Sequence, residues 1–253
     1  MEALERIMKA VRKNQDLQKT SMKYKCSTCK DTGWVEGPKG YRKCKCVVKA
    51  ASQKQWEDSG LNPNNIKNIN EYKVYDNVTR IARDRSIDYS FKFCEIRKEE
   101  NNWIIFLGQP GAGKSHLTKA IGMALLNKNY KTVYMPYSEV IQQLKGSAVD
   151  IDKYSKVINK FKNAEVLIID DLFKDKVKSG KLVAGLTEVD IKHIYPLLNY
   201  RYNNNLPTII SSECNPDMLI ELDEAIGSRI IEKAAGRITV FKDERYNYRF
   251  RNI

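Results

Sequence analysis

One stretch of the chain, Gly108 to Ser115, has the residue types and the spacing needed for phosphate binding. It reads GQPGAGKS and fits the pattern G-x-x-x-x-G-K-[ST], in which glycines let consecutive backbone N–H groups turn around a phosphate. The apolar segment from Trp103 to Leu107 precedes it and is predicted to form a buried strand. An amphipathic segment, His116 to Leu126, follows, and the N-terminus of such a helix attracts anions. The sequence therefore predicts a nucleoside triphosphate site.

The predicted roles of the loop residues follow from the chemistry of phosphate and Mg²⁺. Lys114 is predicted to reach the β- and γ-phosphates, and the hydroxyl of Ser115 is predicted to ligate Mg²⁺. For His116 we expect a structural role beside the loop and not a catalytic one. The residues predicted to contact the nucleotide at the loop are Gly108, Pro110, Gly111, Ala112, Gly113, Lys114, Ser115 and His116.

A second buried strand, predicted over Glu165–Asp171, ends in two carboxylates. Asp170 is predicted to hold Mg²⁺, directly or through water, in the same site. Asp171 is positioned to orient and polarise the attacking water, although a glutamate at that position would reach further. The alternative role for Asp171 is to cap the loop that follows the strand.

Two serines and two arginines are further candidates for this site. The strand predicted over Leu206–Ser211 should lie between the two nucleotide strands, so that Ser211 and Ser212 can hydrogen-bond the γ-phosphate or the water. Charge that develops on the γ-phosphate during hydrolysis favours a nearby arginine. Arg229 and Arg249 are the candidates, and an ordinary surface position is the alternative for each.

Four cysteines form two close pairs near the N-terminus, Cys26 with Cys29 and Cys44 with Cys46. Two such pairs separated by a loop can converge as four thiolates around a tetrahedral Zn²⁺. A segment this small buries little core, so the metal would supply its folding energy. The spacing predicts a structural zinc site, and free thiols or a redox pair are the alternatives.

The composition favours a polyanionic partner. The chain carries 44 Lys and Arg against 31 Asp and Glu, a net charge of +13. Such an excess is typical of proteins that contact nucleic acid, although a merely lysine-rich protein is the alternative. No apolar run approaches ~18 residues, so no membrane span is predicted. The N-terminus lacks an apolar signal core, and we therefore expect a cytoplasmic protein.

Five predicted strands alternate with predicted helices, which is typical of a parallel, doubly wound α/β sheet. A segment rich in turn residues, Gly60 to Asn70, marks a domain boundary. We assign residues 1–50 to an N-terminal helix and a zinc module, residues 51–76 to a linker, and residues 77–253 to the phosphate-loop domain. Glu2 to Lys19 carries the apolar stripe of an amphipathic helix, which packs either on its own domain or on a partner protein.

Together these motifs resemble the AAA+ ATPases of the DnaC/DnaI helicase-loader group, whose relatives include the transposition helper ATPase IstB. Residues Tyr24 to Cys46 look like the cysteine module of DnaI-like loaders from Gram-positive bacteria and their phages. The resemblance implies a five-stranded AAA+ ATPase domain that lacks a full helical lid. It rests on GQPGAGKSHL from Gly108, VLIIDDL from Val166, NYRY from Asn199, LPTIISS from Leu206 and GSRII from Gly227.

The resemblance also implies roles and partners. ATP in that group lies between neighbouring subunits, which implies self-association. Arg229 is then the finger that reaches into the neighbouring site, while Lys233 stands where some members have another arginine. Arg249 matches the terminal sensor arginine, and Glu213 follows Ser212 where members often have asparagine. The N-terminal module is implied to bind a DnaB-type hexameric helicase, and the ATPase domain is implied to contact single-stranded DNA.

The function predicted on these grounds is ATP-dependent loading of a replicative helicase, in a protein of phage or prophage type. A helper ATPase for a transposase is the second hypothesis, and the cysteine module favours the loader. A small-molecule P-loop kinase would need a lid and a substrate pocket, and a strand that ends in Asp170 and Asp171 argues against it. The fourth hypothesis is a non-catalytic adaptor that uses ATP only as a conformational ligand.

Overall fold

The chain folds into two compact units, one up to Val48 and one from Lys49 onward. The computed structural model describes residues 24–38 and 40–250. The division falls two residues before the predicted end of the N-terminal module at residue 50. The amphipathic helix predicted over Glu2 to Lys19 lies outside the described residues.

The described part of the first unit is built on a β-hairpin. Strands β1 (Trp34–Gly37) and β2 (Gly40–Lys43) pair in antiparallel register, with Trp34 opposite Lys43. The backbone N–H of Cys44 donates to the carbonyl of Gly33 at 2.8 Å and closes the open end of the hairpin. Helix α1 (Lys45–Asp58) begins directly after it. This short path brings the second cysteine pair back towards the first.

The larger unit alternates helices and strands, as the sequence predicts. No helix among the described residues is long and apolar enough to cross a membrane. In chain order the elements are α2 (Asn77–Phe91), α3 (Phe93–Ile96), β3 (Ile104–Gly108), α4 (Lys114–Asn127), β4 (Thr132–Pro136), α5 (Tyr137–Gly146), α6 (Ile151–Lys162), β5 (Val166–Leu172), β6 (Val177–Lys178), β7 (Lys181–Leu182), α7 (Glu188–Asn203), β8 (Thr208–Ser212), α8 (Pro216–Leu222), α9 (Glu224–Lys233) and β9 (Ile238–Phe241).

Five of these strands form one parallel sheet in the order β4-β5-β8-β3-β9. The predicted five-stranded α/β fold is confirmed. The strand predicted over Leu206–Ser211 is β8, and it lies between β3 and β5 as expected. Because the strands are parallel, the carboxyl ends of β3, β5 and β8 meet at one edge of the sheet. The ends of these three strands carry the residues predicted to bind nucleotide.

Helices cover both faces of the sheet, so the central strands read as continuous apolar runs. In β3, Ile105 and Leu107 point into a core formed with α5, α6, α7, α8 and α9. The alternate residues Ile104 and Phe106 point into a second core formed with α1, α2 and α4. The period of two along the strand thus divides the apolar residues between two layers.

Side chains cover both edges of the sheet. At the β4 edge, the Gln55 amide donates to the carbonyl of Tyr134 at 2.8 Å and accepts from its N–H at 2.9 Å. The side-chain amide of Gln55 thus makes the two hydrogen bonds with β4 that a peptide group of a sixth strand would make. At the β9 edge, the Arg85 guanidinium donates to the carbonyl of Ile238. Edge strands whose backbone N–H and carbonyl groups are hydrogen-bonded in this way are protected from pairing with further strands.

The segment from residue 51 to 76, predicted as a linker, contributes to the core of the larger unit. Trp56, Ile69 and Tyr72 are all buried in the layer against α2 and α4. The indole N–H of Trp56 also donates to the carbonyl of Thr132 at 3.2 Å. The turn-rich composition of this segment reflects two short 3₁₀ turns, Pro63–Asn65 and Ile69–Glu71.

Arg201 is a fully buried cation that joins α7 to the C-terminus of α6. The last carbonyl groups of a helix have no partner within the helix, and here a guanidinium supplies their donors. Burial lowers the pKa of Arg201 to about 9. Its partners are the carbonyls of Phe161, Lys162, Ala164 and Pro207 and the hydroxyl of Thr208.

We predict that Arg201→Met lowers the free energy of unfolding by at least about 3 kcal/mol, because several buried carbonyls lose their donors at once. Urea unfolding followed by circular dichroism measures this loss. Arg83→Met is the matched control: Arg83 pairs with Asp84 at the surface, so it should cost less than about 1 kcal/mol. Equal losses in the two variants would contradict the structural role of Arg201.

Candidate functional site

The glycine loop between β3 and α4 is shaped by backbone conformations that favour glycine. Gly113 has φ of 82°, and a Cβ there would lie 2.6 Å from the ring of Tyr72. The next residue, Lys114, begins α4, and its ammonium donates to the carbonyls of Gly108 and Gln109 at 2.6 and 2.8 Å. Burial lowers the pKa of Lys114 to about 8, although the Asp171 carboxylate opposes that shift. The loop therefore holds an inward-facing cation at its centre.

Asp170, near the end of β5, is 5% exposed and is contacted from several elements. Its carboxylate accepts from the Tyr134 hydroxyl at 2.8 Å and from Ser211, and pairs with Lys119 at 2.9 Å. Burial opposes ionisation of this carboxyl, but Lys119 and the hydrogen bonds from Ser211 and Ser115 outweigh it and lower the pKa of Asp170. A carboxylate kept ionised beside the Ser115 hydroxyl is a suitable ligand pair for Mg²⁺.

Asp171 adopts a left-handed backbone conformation with φ of 57°. Its N–H donates to the Ser211 hydroxyl at 2.9 Å, so one serine fixes both acidic residues. Burial and the adjacent Asp170 carboxylate raise the pKa of Asp171 above its usual value. A carboxyl with a raised pKa at this place is suited to accept a proton from water.

Most of the predicted site residues line a single cavity of 330 Å³ at the carboxyl ends of the strands. The hydroxyl of Ser212, in contrast, donates to the carbonyl of Leu172 at 2.6 Å and serves the backbone. Ser211 acts through Asp170 and Asp171. The residues that line the cavity are Pro110, Gly111, Gly113, Lys114, Ser115, His116, Asp171, Lys174, Glu213, Tyr248 and Arg249.

A second cavity of 200 Å³ lies beside the first. The two share Gly111, Gly113, His116 and Tyr248 in their walls, so they are adjacent. The second has aromatic and lysine side chains in its wall, from Tyr72, Tyr75, Lys67 and Lys73, and Ala112 also lines it. An aromatic cavity adjacent to a phosphate-sized one matches the base and the phosphates of a nucleotide.

The imidazole ring of His116 is fixed by contacts with Asn68 and Tyr72. Its Nε2 lies 3.0 Å from the carbonyl of Asn68, and its ring meets the edge of Tyr72 at a centroid distance of 5.8 Å. These contacts fit the expected structural role beside the loop.

The segment after β9 packs back onto the glycine loop. Tyr246 is buried against Phe241, and the N–H of Tyr248 donates to the carbonyl of Gly111 at 3.2 Å. These contacts bring Arg249, the residue after Tyr248, to the wall of the 330 Å³ cavity. The described residues after β9 form two short 3₁₀ turns, Glu244–Tyr246 and Tyr248–Phe250, and the second carries Arg249.

Arg229 lies apart from the cavity of its own chain. On α9 its guanidinium donates to the carbonyl of Ala225 at 2.6 Å and lies over the rings of Tyr195 and Tyr202. Lys233, one turn later, is buried, with its ammonium bonded to the carbonyl of Glu100 at 2.8 Å. Of these two cations, Arg229 is the one near the surface.

Lys119, Tyr134, Lys174 and Glu213 are among the residues that the structure adds to those predicted for the site. Lys119 lies four residues after Ser115 on α4. This spacing puts the two side chains on one face of the helix, and it is the sequence feature that links Lys119 to the site. Tyr134 comes from β4, and no local pattern links it to Asp170. Lys174 and Glu213 form an ion pair in the wall of the cavity. For Glu213 the sequence offers only its charge, at a position where members of the helicase-loader group often have asparagine.

The four N-terminal cysteines converge in the first unit. Their sulfur atoms all lie within 4.8 Å of one another, with Cys26 and Cys44 at 3.8 Å and Cys29 and Cys46 at 3.5 Å. Four thiolates at Zn–S distances of about 2.3 Å in a tetrahedron are about 3.8 Å apart, so the arrangement fits Zn²⁺. The backbone N–H of Cys29 is the largest of the effects that lower the pKa of Cys26 to about 6.

The sheet order, the glycine loop and the acidic strand end define the AAA+ class of P-loop proteins, and the predicted fold class is confirmed. A family model described as the bacterial DnaA ATPase domain matches residues 80–235, which is more than half of the chain. The chain belongs to this family.

Known proteins of similar sequence and fold come from bacterial replication and phage-like elements. The phage-like element PBSX protein XkdC of Bacillus subtilis strain 168 is 30% identical over 241 residues, 91% of this chain and 88% of XkdC. YqaM of the same organism is 33% identical over 208 residues, 81% of this chain; the chain spans 64% of the length of YqaM. The crystal structure of the DnaC helicase loader superposes with a TM-score of 0.56 at 24% identity, covering 69% of this chain and 96% of that one.

We predict that Cys29→Ser releases zinc and unfolds the first unit only, because each thiolate is needed to complete the tetrahedron. Metal analysis should find zinc equimolar with the wild-type chain and little in the variant. Limited proteolysis of the variant should leave a resistant fragment that begins near Lys49. The control Cys94→Ser replaces an exposed cysteine outside the cluster and should retain the metal. A wild-type protein without zinc would refute the assignment.

Proposed function

We propose that the chain is an ATP-dependent loader that places a DnaB-type hexameric helicase onto single-stranded DNA. The observation that carries the ATP part of this proposal is the convergence of Lys114, Ser115 and Asp171 at one cavity. The buried carboxylate of Asp170 lies beside this cavity, hydrogen-bonded to Ser115. A glycine loop and an acidic strand end supply the phosphate cradle, the Mg²⁺ ligands and the water-polarising group that ATP hydrolysis requires. The loader part is supported by the shared DnaC fold and by the +13 net charge, which suits a DNA partner.

Each residue of the site has its own part in ATP hydrolysis. Lys114 binds the β- and γ-phosphates, and the backbone N–H groups of the loop surround the β-phosphate. Ser115 and Asp170 would hold Mg²⁺, which would neutralise negative charge on the β- and γ-phosphates. Asp171 orients the attacking water, and Ser211 positions both acidic residues through its hydroxyl. Arg249 contributes positive charge from the same chain.

The N-terminal unit, with a structural zinc ion held by Cys26, Cys29, Cys44 and Cys46, is proposed to bind the helicase. The four sulfurs lie close enough for one ion, and the metal would hold the hairpin β1–β2 against the start of α1. Trp34 and Tyr41 on this hairpin are exposed at 51% and 77%, which leaves large apolar surface for a protein partner.

The assay that tests this function is the ATPase rate alone, with single-stranded DNA, and with DNA and a purified DnaB-type helicase. We expect stimulation by DNA and a stable complex with the helicase. Turnover that responds to neither, but changes when a transposase is added, would replace the loader by a transposition helper. ATP binding without turnover, in a protein that still delivers helicase, would indicate the adaptor.

We predict that Arg229→Ala spares ATP binding but lowers turnover by about a thousandfold, as expected when a finger from a neighbouring subunit is lost. Excess Lys114→Ala subunits, which keep their arginine, should restore turnover in mixed assemblies. The control is Arg83→Ala, a surface arginine on α2 that should leave the rate unchanged. If the mixture shows no rescue, the site is not shared between subunits.

A further inference from the structure

Lys174 and Glu213 form an ion pair in the wall of the 330 Å³ cavity. Lys174 follows β5 in a short 3₁₀ turn, and Glu213 directly follows β8. The Glu213 side chain is 8% exposed, whereas that of Lys174 is 45% exposed. The nearly buried carboxylate of Glu213 is thus paired with the half-exposed ammonium of Lys174.

The pair lies in the part of the wall that the phosphate-sized cavity does not share with the aromatic one. The two cavities have Gly111, Gly113, His116 and Tyr248 in common, whereas Lys174 and Glu213 line the phosphate-sized cavity together with Asp171 and do not line the aromatic one. A nucleotide with its base in the aromatic cavity therefore extends its phosphates along the loop towards this pair. The terminal phosphate is then the part of the nucleotide that comes closest to Lys174 and Glu213.

We propose that Lys174 binds the terminal phosphate of ATP after leaving Glu213, and that Glu213 restrains this exchange, so that the pair determines the preference for ATP over ADP. This inference rests on the proposed nucleotide site. In the free protein Glu213 neutralises Lys174 and places a negative charge where the γ-phosphate must come. ADP is too short to reach the pair and leaves it intact.

The charges set the direction of each effect. A phosphate attracts the ammonium of Lys174 through a charge-assisted hydrogen bond, which is stronger than a neutral one. The same phosphate repels the Glu213 carboxylate, and the repulsion is poorly screened because that side chain is nearly buried. Removing the lysine therefore weakens ATP binding, and neutralising the glutamate strengthens it.

The experiment measures the affinities of the full-length protein for ATP and ADP, with Mg²⁺, in Lys174→Gln and Glu213→Gln. We expect Lys174→Gln to lose about tenfold to a hundredfold in ATP affinity, the range for one charged hydrogen bond. Glu213→Gln should gain several-fold in ATP affinity. ADP affinity should stay within about twofold of wild type in both, because ADP makes no contact with the pair.

Matched controls are Lys178→Gln and Glu221→Gln, exposed residues of β6 and α8 outside the cavity, which should change neither affinity. An unchanged ratio of ATP to ADP affinity in both test variants overturns the inference, as does equal loss of ADP affinity in Lys174→Gln. Lys174 is half-exposed, so its variant tests the proposal even where Glu213→Gln folds poorly. A wild-type protein that binds neither nucleotide would instead refute the nucleotide site itself.

Discussion

The site depends on a carboxylate that is almost entirely removed from water. Asp170 is 5% exposed, and an unpaired charge at such a depth would be costly. Hydrogen bonds and an ion pair from Ser115, Lys119, Tyr134 and Ser211 keep it ionised, and these four residues come from α4, β4 and β8. Satisfying one carboxylate therefore fixes the glycine-loop helix, the edge strand and the central strand relative to each other.

The same arrangement lets residues from distant segments of the chain build one site. The strand order puts β8 between β3 and β5, so a single serine, Ser211, can contact both Asp170 and the N–H of Asp171. The segment after β9 packs on Gly111 through Tyr248 and brings Arg249 to the cavity. Contacts between the segment after β9 and the glycine loop thus complete the wall of the cavity.

Local patterns in the sequence predicted what depends on neighbouring residues. The glycine loop and the strand that carries Asp170 and Asp171 both appear in the structure, because each is decided within a few residues. The five-stranded sheet followed from the alternation of strands and helices. These features could be read from periodicity and spacing alone.

Contacts between distant segments could not be read in this way. Gln55 pairs with Tyr134 across 79 positions, and Arg201 serves carbonyls 37 to 40 residues away. A turn-rich composition around residues 60–70 predicted a linker, but composition does not show that Trp56 and Tyr72 find an apolar surface to cover. The partner of Glu213 was likewise invisible, since Lys174 lies on a loop whose course depends on the whole fold.

The most direct test of the central claim is equilibrium binding of a fluorescent ATP analogue to wild type and Lys114→Ala. Lys114 provides the cation inside the loop, and the variant removes it without altering the glycines that shape the backbone. We expect saturable binding of the analogue by the wild-type protein and none by Lys114→Ala at the same concentrations. Undiminished binding by Lys114→Ala would show that the nucleotide binds elsewhere, and the assignment of the cavity would be wrong.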